Sequence, residues 1–190
     1  MLLLVGLGNP GSSYTNTRHN IGFKIIDAIN TQFKLSKQKP KFKGLLTTGN
    51  IDEKKIYAIK PLTFMNNSGT AIKELIDYFK IEAKDVFVFH DDMDIDFGKI
   101  KAKFGGGSAG HNGIESIDKF IGKDYSRVRI GIGHPKKKKK VNNHVLEDFK
   151  EDEEEKINEI TGNIVKQLPT LIQKKIDLFS SKVNQNLNGI

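Results

Sequence analysis

The stretch Leu2–Gly11, which reads LLLVGLGNPG, is the part of the sequence that decides the fold. Residues 2–7 are apolar or glycine with no polar alternation, which is typical of a strand buried on both faces of a parallel or mixed sheet. Gly8 and Pro10 then end the strand in a turn. The segment predicts a central first strand whose carboxyl end leads into a loop that contains Asn9.

Helical and strand patterns alternate along the rest of the chain. Isoleucines at every fourth position from Ile21 predict an amphipathic helix that opens near Asn20. After Pro61 a second helix is expected, capped by Asn67 or Ser68. Further strands are predicted near 42–49, 55–60, 86–89, 99–104 and 128–132, and further helices over 114–121, 151–167 and 170–187, the last two separated by Pro169.

These elements predict one three-layer α/β/α domain over residues 1–190, with a mixed, mostly parallel central sheet. Alternation of strands with helices favours parallel pairing, whereas directly adjacent strands require some antiparallel pairing. The segment 136–143 is interpreted as a basic loop and 151–187 as C-terminal helices. In the strand near 128–132, alternation sends Arg127 and Arg129 to the face opposite the apolar residues.

The composition favours an acidic partner. Lys and Arg number 31 against 23 Asp and Glu, a formal charge of +8, and part of the excess is the run of lysines at 136–140. The absence of cysteine excludes disulfides, thiolate catalysis and thiolate metal sites. No stretch approaches the roughly 20 apolar residues that a membrane span needs. We therefore expect a cytoplasmic protein without a membrane partner.

The letters Gly6-Leu7-Gly8-Asn9-Pro10-Gly11 match the dinucleotide fingerprint G-x-G-x-x-G. That fingerprint requires a helix to begin within it, but here apolar helical periodicity starts only at Ile21. The acidic residue expected at the end of a second strand is also missing, since Asp27 lies inside the predicted helix. We therefore expect no nucleotide cofactor.

Two clusters of polar residues follow buried strands. One cluster lies between the opening strand and helix and contains Asn9, Tyr14, Arg18, His19 and Asn20. The other, residues 90–94, reads His-Asp-Asp-Met-Asp and follows the strand near 86–89. Because open α/β sheets place ligands beyond strand ends, the two clusters can converge on one crevice. An Asp that accepts the Nδ1 proton of a His suits general-base catalysis.

Other chemistries remain open from the residues alone. Asp91, Asp92 and Asp94 offer oxygen ligands for Mg²⁺, although strand alternation places Asp91 opposite the other two. Ser108, in a glycine-rich loop, is a candidate nucleophile, but no G-x-S-x-G elbow is present. Neutral amides beside glycines, such as Asn112, suit a peptide backbone or a developing oxyanion, and each is also an ordinary helix cap.

Six separated motifs give the chain a close resemblance to the bacterial peptidyl-tRNA hydrolase family. The resemblance runs from Val5 through Pro135 and weakens beyond it. In order, the motifs are GLGNPG, TRHNIG, TFMNNSG, HDDMD, FGGGSAGHNG and RVRIGIGHP.

The resemblance implies hydrolysis of the ester between a peptide and tRNA. By this resemblance His19 activates water and Asp91 orients His19. Asn9 and Asn66 would position the ester, and Asn112 would hold the peptide or the water.

It further implies that Tyr14 and Met65 shape the pocket, and that Lys103 and Arg129 clamp the 5′ phosphate of the tRNA. Family members are usually monomers and need no metal or other cofactor, and the same is expected here. Two alternatives stay open: a tRNA-binding protein of this fold without catalysis, and a metal-dependent nuclease or phosphatase.

Overall fold

A computed structural model of the chain describes residues 1–135 and 141–187. Its seven strands form one mixed sheet in the order β2-β3-β4-β1-β5-β7-β6, so the opening strand is central, as predicted. Parallel pairs join β1 to β4, β1 to β5 and β5 to β7, and the outer pairs are antiparallel. The strands are β1 (Leu2–Gly6), β2 (Lys39–Lys41), β3 (Gly44–Ile51), β4 (Lys54–Pro61), β5 (Val86–Asp92), β6 (Ile100–Phe104) and β7 (Ser126–Gly131).

Helices cover both faces of the sheet, which confirms the three-layer α/β/α prediction. Leu2 and Leu4 of β1 pack with isoleucines of α1 and α5, while Leu3 and Val5 pack with those of α2 and α3. Burial on both faces explains why β1 shows no polar alternation. The helices are α1 (Ile21–Gln32), α2 (Ser68–Phe79), α3 (Asn112–Ile121), α4 (Val141–His144), α5 (Glu151–Ile172) and α6 (Ile176–Leu187).

The C-terminal helices differ from the sequence prediction, because Pro169 lies inside α5 rather than between two helices. A proline in a helix interior costs about 3 kcal/mol. Leu168, Leu171 and Ile172 around it are fully buried, and burying such a side chain contributes about 1.5–3 kcal/mol each. The burial of these side chains in the core therefore outweighs the local penalty.

Two smaller predictions are correct only in part. Residues 141–143, assigned to a basic loop, begin the short helix α4. Asn67 occupies the N-cap position of α2, but no side-chain hydrogen bond caps the helix there. The lysine run 136–140 lies outside the described residues.

Among the described residues, none of the helices has the length and hydropathy that crossing a membrane requires.

Helix α1 lies unusually close to the sheet at Gly22. A Cβ atom at this position would collide with the Leu7 amide nitrogen and the Phe89 carbonyl oxygen, so a glycine is required for the close approach. The contact holds the amino-terminal end of α1 against the carboxyl ends of β1 and β5. His19 and Asn20 lie in the 3₁₀ turn Arg18–Asn20 immediately before α1, so this packing determines where they lie.

Candidate active site

The candidate site lies at one edge of the sheet. Strands β1, β4, β5 and β7 run parallel, so their carboxyl ends meet there, which is where open α/β sheets bind ligands. A pocket opens at this edge. It is lined by His19, Asp91, Asp92, Met93, Asp94, Ser108, Ala109, Gly110, His111, Asn112 and Val145.

His19 and Asp91, 72 residues apart in the chain, are in direct contact. The Nδ1 atom of His19 lies 2.8 Å and 2.9 Å from the two carboxylate oxygens of Asp91, and both residues are buried. An ionised carboxylate can only accept, so Nδ1 donates its proton to Asp91. The Nε2 atom of a neutral His19 is then left unprotonated, with no hydrogen-bond partner among residues 1–135 and 141–187.

The backbone around His19 is tied to the segment that precedes α5. The amide of His19 donates to the Val145 carbonyl at 2.8 Å, and the amide of Arg18 donates to the Glu147 carbonyl at 3.0 Å. The buried Arg18 guanidinium adds hydrogen bonds to the carbonyl of Asp148 at 2.8 Å and to the Glu153 carboxylate at 2.6 Å. These contacts fix the backbone of His19 against residues 145–148, in addition to its contact with Asp91.

His111 is a member of the site that the sequence analysis missed. Its Nε2 lies 2.9 Å from Asp91 Oδ1, and its Nδ1 accepts hydrogen bonds from the amides of Gly113 and Ile114 at the start of α3. Because Nδ1 accepts, the proton is on Nε2 and is donated to Asp91. The available signal was the position of His111 directly before a predicted helix, where a side chain can cap the first amides.

Asp91 therefore receives N–H groups from two imidazoles. Burial alone would raise the pKa of the Asp91 carboxyl, but His19 and His111 beside it hold that pKa well below its usual range. The carboxylate stays ionised and can hold both rings. The neighbouring His90 is different, because its burial lowers its pKa to about 3, so it is neutral at physiological pH.

The same three side chains lie close enough together to be considered as metal ligands. Ligand atoms of His19, Asp91 and His111 lie within 4.8 Å of one another. A metal at Nε2 of His111 would require the imidazole proton to move to Nδ1, which already faces two backbone amides. His111 therefore cannot bind a metal without losing the hydrogen bonds by which it caps α3.

The Asp91, Asp92 and Asp94 cluster considered as a Mg²⁺ site is also separated in the structure. Asp92 Oδ2 accepts from Arg129, and Asp94 Oδ1 faces His134 at 2.9 Å. The three carboxylates thus have three different partners and do not converge on one ion. Ser108, the alternative nucleophile, donates to the exposed Glu115 carboxylate at 3.2 Å, and within residues 1–135 and 141–187 it has no imidazole partner of the kind that activates a serine.

Asn9 is held rigidly in the loop after β1. Its Oδ1 accepts from the Met65 amide at 2.8 Å, while Asn20 donates to its carbonyl and accepts from its amide at 3.0 Å and 2.8 Å. With Oδ1 occupied, the Nδ2 group of Asn9 is the end that remains as a donor among the described residues. The loop is followed by a 3₁₀ turn, and α1 begins only at Ile21, unlike a dinucleotide-binding turn.

The remaining predicted pocket residues are not all brought together. Asn112 lines the pocket with His19, and Met65 is buried beside Asn9 through the hydrogen bond of its amide. Tyr14 is half-buried, with its ring 6.4 Å from that of Phe64. Asn66 is exposed in the turn Met65–Asn67 and does not line the pocket.

Lys103 and Arg129 lie on neighbouring antiparallel strands, β6 and β7. In their register Lys101 faces Arg129 and Lys103 faces Arg127, so all four side chains share one face of the sheet. Lys103 is exposed, as expected. Arg127 is instead buried, 1% exposed, and donates to Asp118 and to the Gly107 carbonyl, because α3 covers this part of the face.

Comparisons with known proteins agree with this geometry. The family model of peptidyl-tRNA hydrolase matches residues 3–189. The peptidyl-tRNA hydrolase of Pelagibacter ubique is 71% identical over 97% of this chain and 99% of its own length, and that of Ehrlichia canis is 45% identical over 97% and 95%. The crystal structure of the Acinetobacter baumannii peptidyl-tRNA hydrolase superposes with a TM-score of 0.90 at 34% identity, covering 97% of this chain and 94% of that chain.

Both the sequence matches and the structural match extend over nearly the whole chain, including the strand ends and turns that build the pocket. The chain belongs to the peptidyl-tRNA hydrolase family.

Proposed function

We propose that this protein hydrolyses the ester that joins a peptide to the 3′-terminal ribose of tRNA, with His19 as the general base. The observation that carries the proposal is the contact of His19 Nδ1 with the Asp91 carboxylate. That contact fixes the imidazole tautomer and leaves Nε2 as the atom able to take a proton from water.

In the proposed reaction, Nε2 of His19 removes a proton as the water oxygen attacks the ester carbonyl. The C–O bond to the ribose then breaks, and the imidazolium returns the proton to the departing ribose oxygen. The products are a peptide carboxylic acid and tRNA with a free hydroxyl. Asp91 stabilises the transient imidazolium, and a positioned base of this kind contributes about 10²–10⁴-fold.

Asn9 supplies the donor for the oxyanion in this proposal. Its Nδ2 group is oriented by the hydrogen bond between Oδ1 and the Met65 amide, so little reorganisation is needed when negative charge develops. Asn112 at the pocket wall would bind the peptide or the water. Asn66 would help Asn9 to position the ester, and Tyr14 and Met65 would shape the pocket. Lys103 and Arg129 would bind the 5′ phosphate of the tRNA, since their common face is basic.

The proposal also covers the setting of the reaction. We expect a monomer, because every group invoked comes from one chain, and we place the enzyme in the cytoplasm with the ribosomes that release its substrate. A single mass in solution equal to that of one chain would support the first point, and a stable dimer would contradict it.

The assignment of His19 is tested by the substitution His19→Ala. We expect turnover to fall by at least about 10²-fold with the fold preserved, because the base is lost while the surrounding packing changes little. His134→Ala, which removes an exposed histidine outside the pocket, serves as the matched control and should retain activity. Near-normal turnover in purified His19→Ala would exclude the proposed mechanism.

The reaction class is tested by hydrolysis of peptidyl-tRNA in ¹⁸O water. Label in the peptide carboxylate together with intact tRNA is expected for attack on the acyl carbon, whereas cleaved RNA would indicate a nuclease. Treatment with EDTA should leave the rate unchanged. A rate that falls with EDTA and recovers with Mg²⁺ would instead support the metal-dependent alternative.

A further inference from the structure

Asp92 has a rigid geometry that the proposed reaction does not use. Its carboxylate is buried, with both oxygens engaged: Oδ1 accepts from the Asp94 amide at 2.9 Å, and Oδ2 accepts from Arg129 Nε at 2.7 Å. The Asp92 side chain is 7% exposed and that of Arg129 is 22% exposed. Exposed ion pairs contribute little to stability because both side chains are mobile. Here the hydrogen bond from the Asp94 amide already holds the Asp92 carboxylate, so only the Arg129 side chain has to be ordered.

The hydrogen bond to Asp92 uses only one donor of the guanidinium. Arg129 presents five N–H donors in a planar fork, and Nε accounts for one of them. The Nη1 and Nη2 groups have no hydrogen-bond acceptor within the described ranges 1–135 and 141–187. These groups belong to the face that also carries Lys101 and Lys103. The unused end of the fork is therefore oriented on a basic surface.

We propose that Asp92 is a positioning residue that orients Arg129 to bind a phosphate group of tRNA. Phosphate oxygens match the paired N–H groups of a guanidinium, and this match depends on the orientation of the guanidinium plane. A carboxylate at Nε fixes the plane and keeps the outer edge available. The inference rests on the proposed function, because it requires Arg129 to contact the substrate.

Asp92 also connects the phosphate contact to the catalytic base. Asp91 and Asp92 are consecutive residues at the end of β5, and alternation sends one to His19 and the other to Arg129. The strand is fully buried, and at this end Asp91 and Asp92 are paired with Ile130 and Gly131 of β7, which fixes their positions relative to Arg129. One short segment thus sets the separation between the base and the phosphate-binding arginine, which must match the separation of ester and phosphate in the substrate.

The inference is tested with Asp92→Asn and two substrates that differ only at the 5′ end, one with a phosphate and one with a hydroxyl. Because Arg129 is no longer fully oriented, KM for the phosphorylated substrate should rise by about 3- to 10-fold, the equivalent of one ordinary hydrogen bond, and kcat should stay unchanged. KM for the 5′-hydroxyl substrate should not change. Asp96→Asn is the matched control, since Asp96 pairs with exposed Lys99 and does not touch Arg129.

The variants separate failure of this inference from failure of the proposed phosphate contact. If the unmodified enzyme does not distinguish the two substrates, the phosphate contact and this inference are both wrong. If it does distinguish them but Asp92→Asn keeps the full difference, or weakens both substrates equally, only the positioning role is wrong. A lower KM would show that Asp92 competes with phosphate, which also overturns it.

A double substitution provides a second check. If Asp92 acts only through Arg129, adding Asp92→Asn to Arg129→Ala should cause no further rise in KM, since the group being oriented is already absent. An additive rise would overturn the inference by showing that Asp92 contributes independently of Arg129.

Discussion

His19 and His111 share the Asp91 carboxylate, but they present different nitrogens to it. His19 donates from Nδ1, and His111 donates from Nε2 because its Nδ1 is occupied by the first amides of α3. Of these two imidazoles, only that of His19 is left with an unprotonated nitrogen that faces no donor among the described residues. The tautomers therefore make His19 the residue suited to act as the base, and His111 a residue suited to hold Asp91 in place.

The buried His90 should make the protein sensitive to acid. Its folded-state pKa is lowered to about 3 by burial, whereas an unfolded histidine titrates near 6.5. Below pH 6.5 the unfolded chain therefore binds a proton that the folded chain does not. The free energy of unfolding should fall by up to about 1.4 kcal/mol per pH unit between pH 6.5 and 3 from this residue alone.

Denaturant unfolding of His90→Phe at several pH values measures this contribution. The variant should lose about 1 kcal/mol at pH 7, because the hydrogen bond from His90 Nδ1 to the Asp91 carbonyl is removed. Its dependence on pH between 6.5 and 4 should nevertheless be shallower than that of the unmodified protein. Equal slopes would contradict the buried, neutral state of His90.

At the scale of a single element, helix α1 determines the position of His19, the proposed base. Gly22 allows α1 to contact the ends of β1 and β5, and His19 lies three residues before it. Gly22→Ala should push the helix away from the sheet and lengthen the His19–Asp91 contact. Overpacking of this kind costs about 1–3 kcal/mol, so both stability and turnover should decrease.

Gly162→Ala in α5 is the matched control, because no atom lies within 4 Å of a Cβ at Gly162. This change should stabilise the protein by about 0.5–1 kcal/mol through helix propensity, with unchanged turnover. Melting curves and steady-state rates of the two variants would test the comparison. A Gly22→Ala variant with unaltered stability and rate would show that the close approach is unnecessary.

At the scale of the whole molecule, the formal charge of +8 should make substrate binding depend on salt. The logarithm of the apparent affinity should fall linearly with the logarithm of the salt concentration, while kcat stays constant. Lys103→Ala should reduce the slope by roughly 1, as expected for one lost phosphate contact. Lys84 lies just before the amino end of β5, at the opposite edge of the sheet. The control substitution Lys84→Ala should therefore leave the slope unchanged. Equal slopes for all three proteins would contradict a phosphate contact at Lys103.

The sequence predicted those features that depend on neighbouring residues or on strand ends. The unbroken apolar run in β1 predicted a central strand, the isoleucine spacing predicted α1, and the two polar clusters predicted the meeting of His19 with Asp91. Pro169 was wrongly placed between two helices, and the burial of Arg127 on its predicted face was not foreseen, because local sequence does not report tertiary packing. The cost of Pro169 inside α5 was offset by the burial of neighbouring leucines. Helix α3 covers the part of the β7 face that carries Arg127.

By itself, the sequence determined the layer architecture, the central strand and the strand ends at which His19 and Asp91 could meet, because apolar periodicity and strand direction are properties of local sequence. The tertiary structure alone decided which nitrogen of each imidazole faces Asp91, and that Asp92 meets Arg129. These contacts join residues 20 or more positions apart through atoms separated by less than 3 Å. A tautomer or a guanidinium plane is set by such contacts, and spacing along the chain carries no information about them.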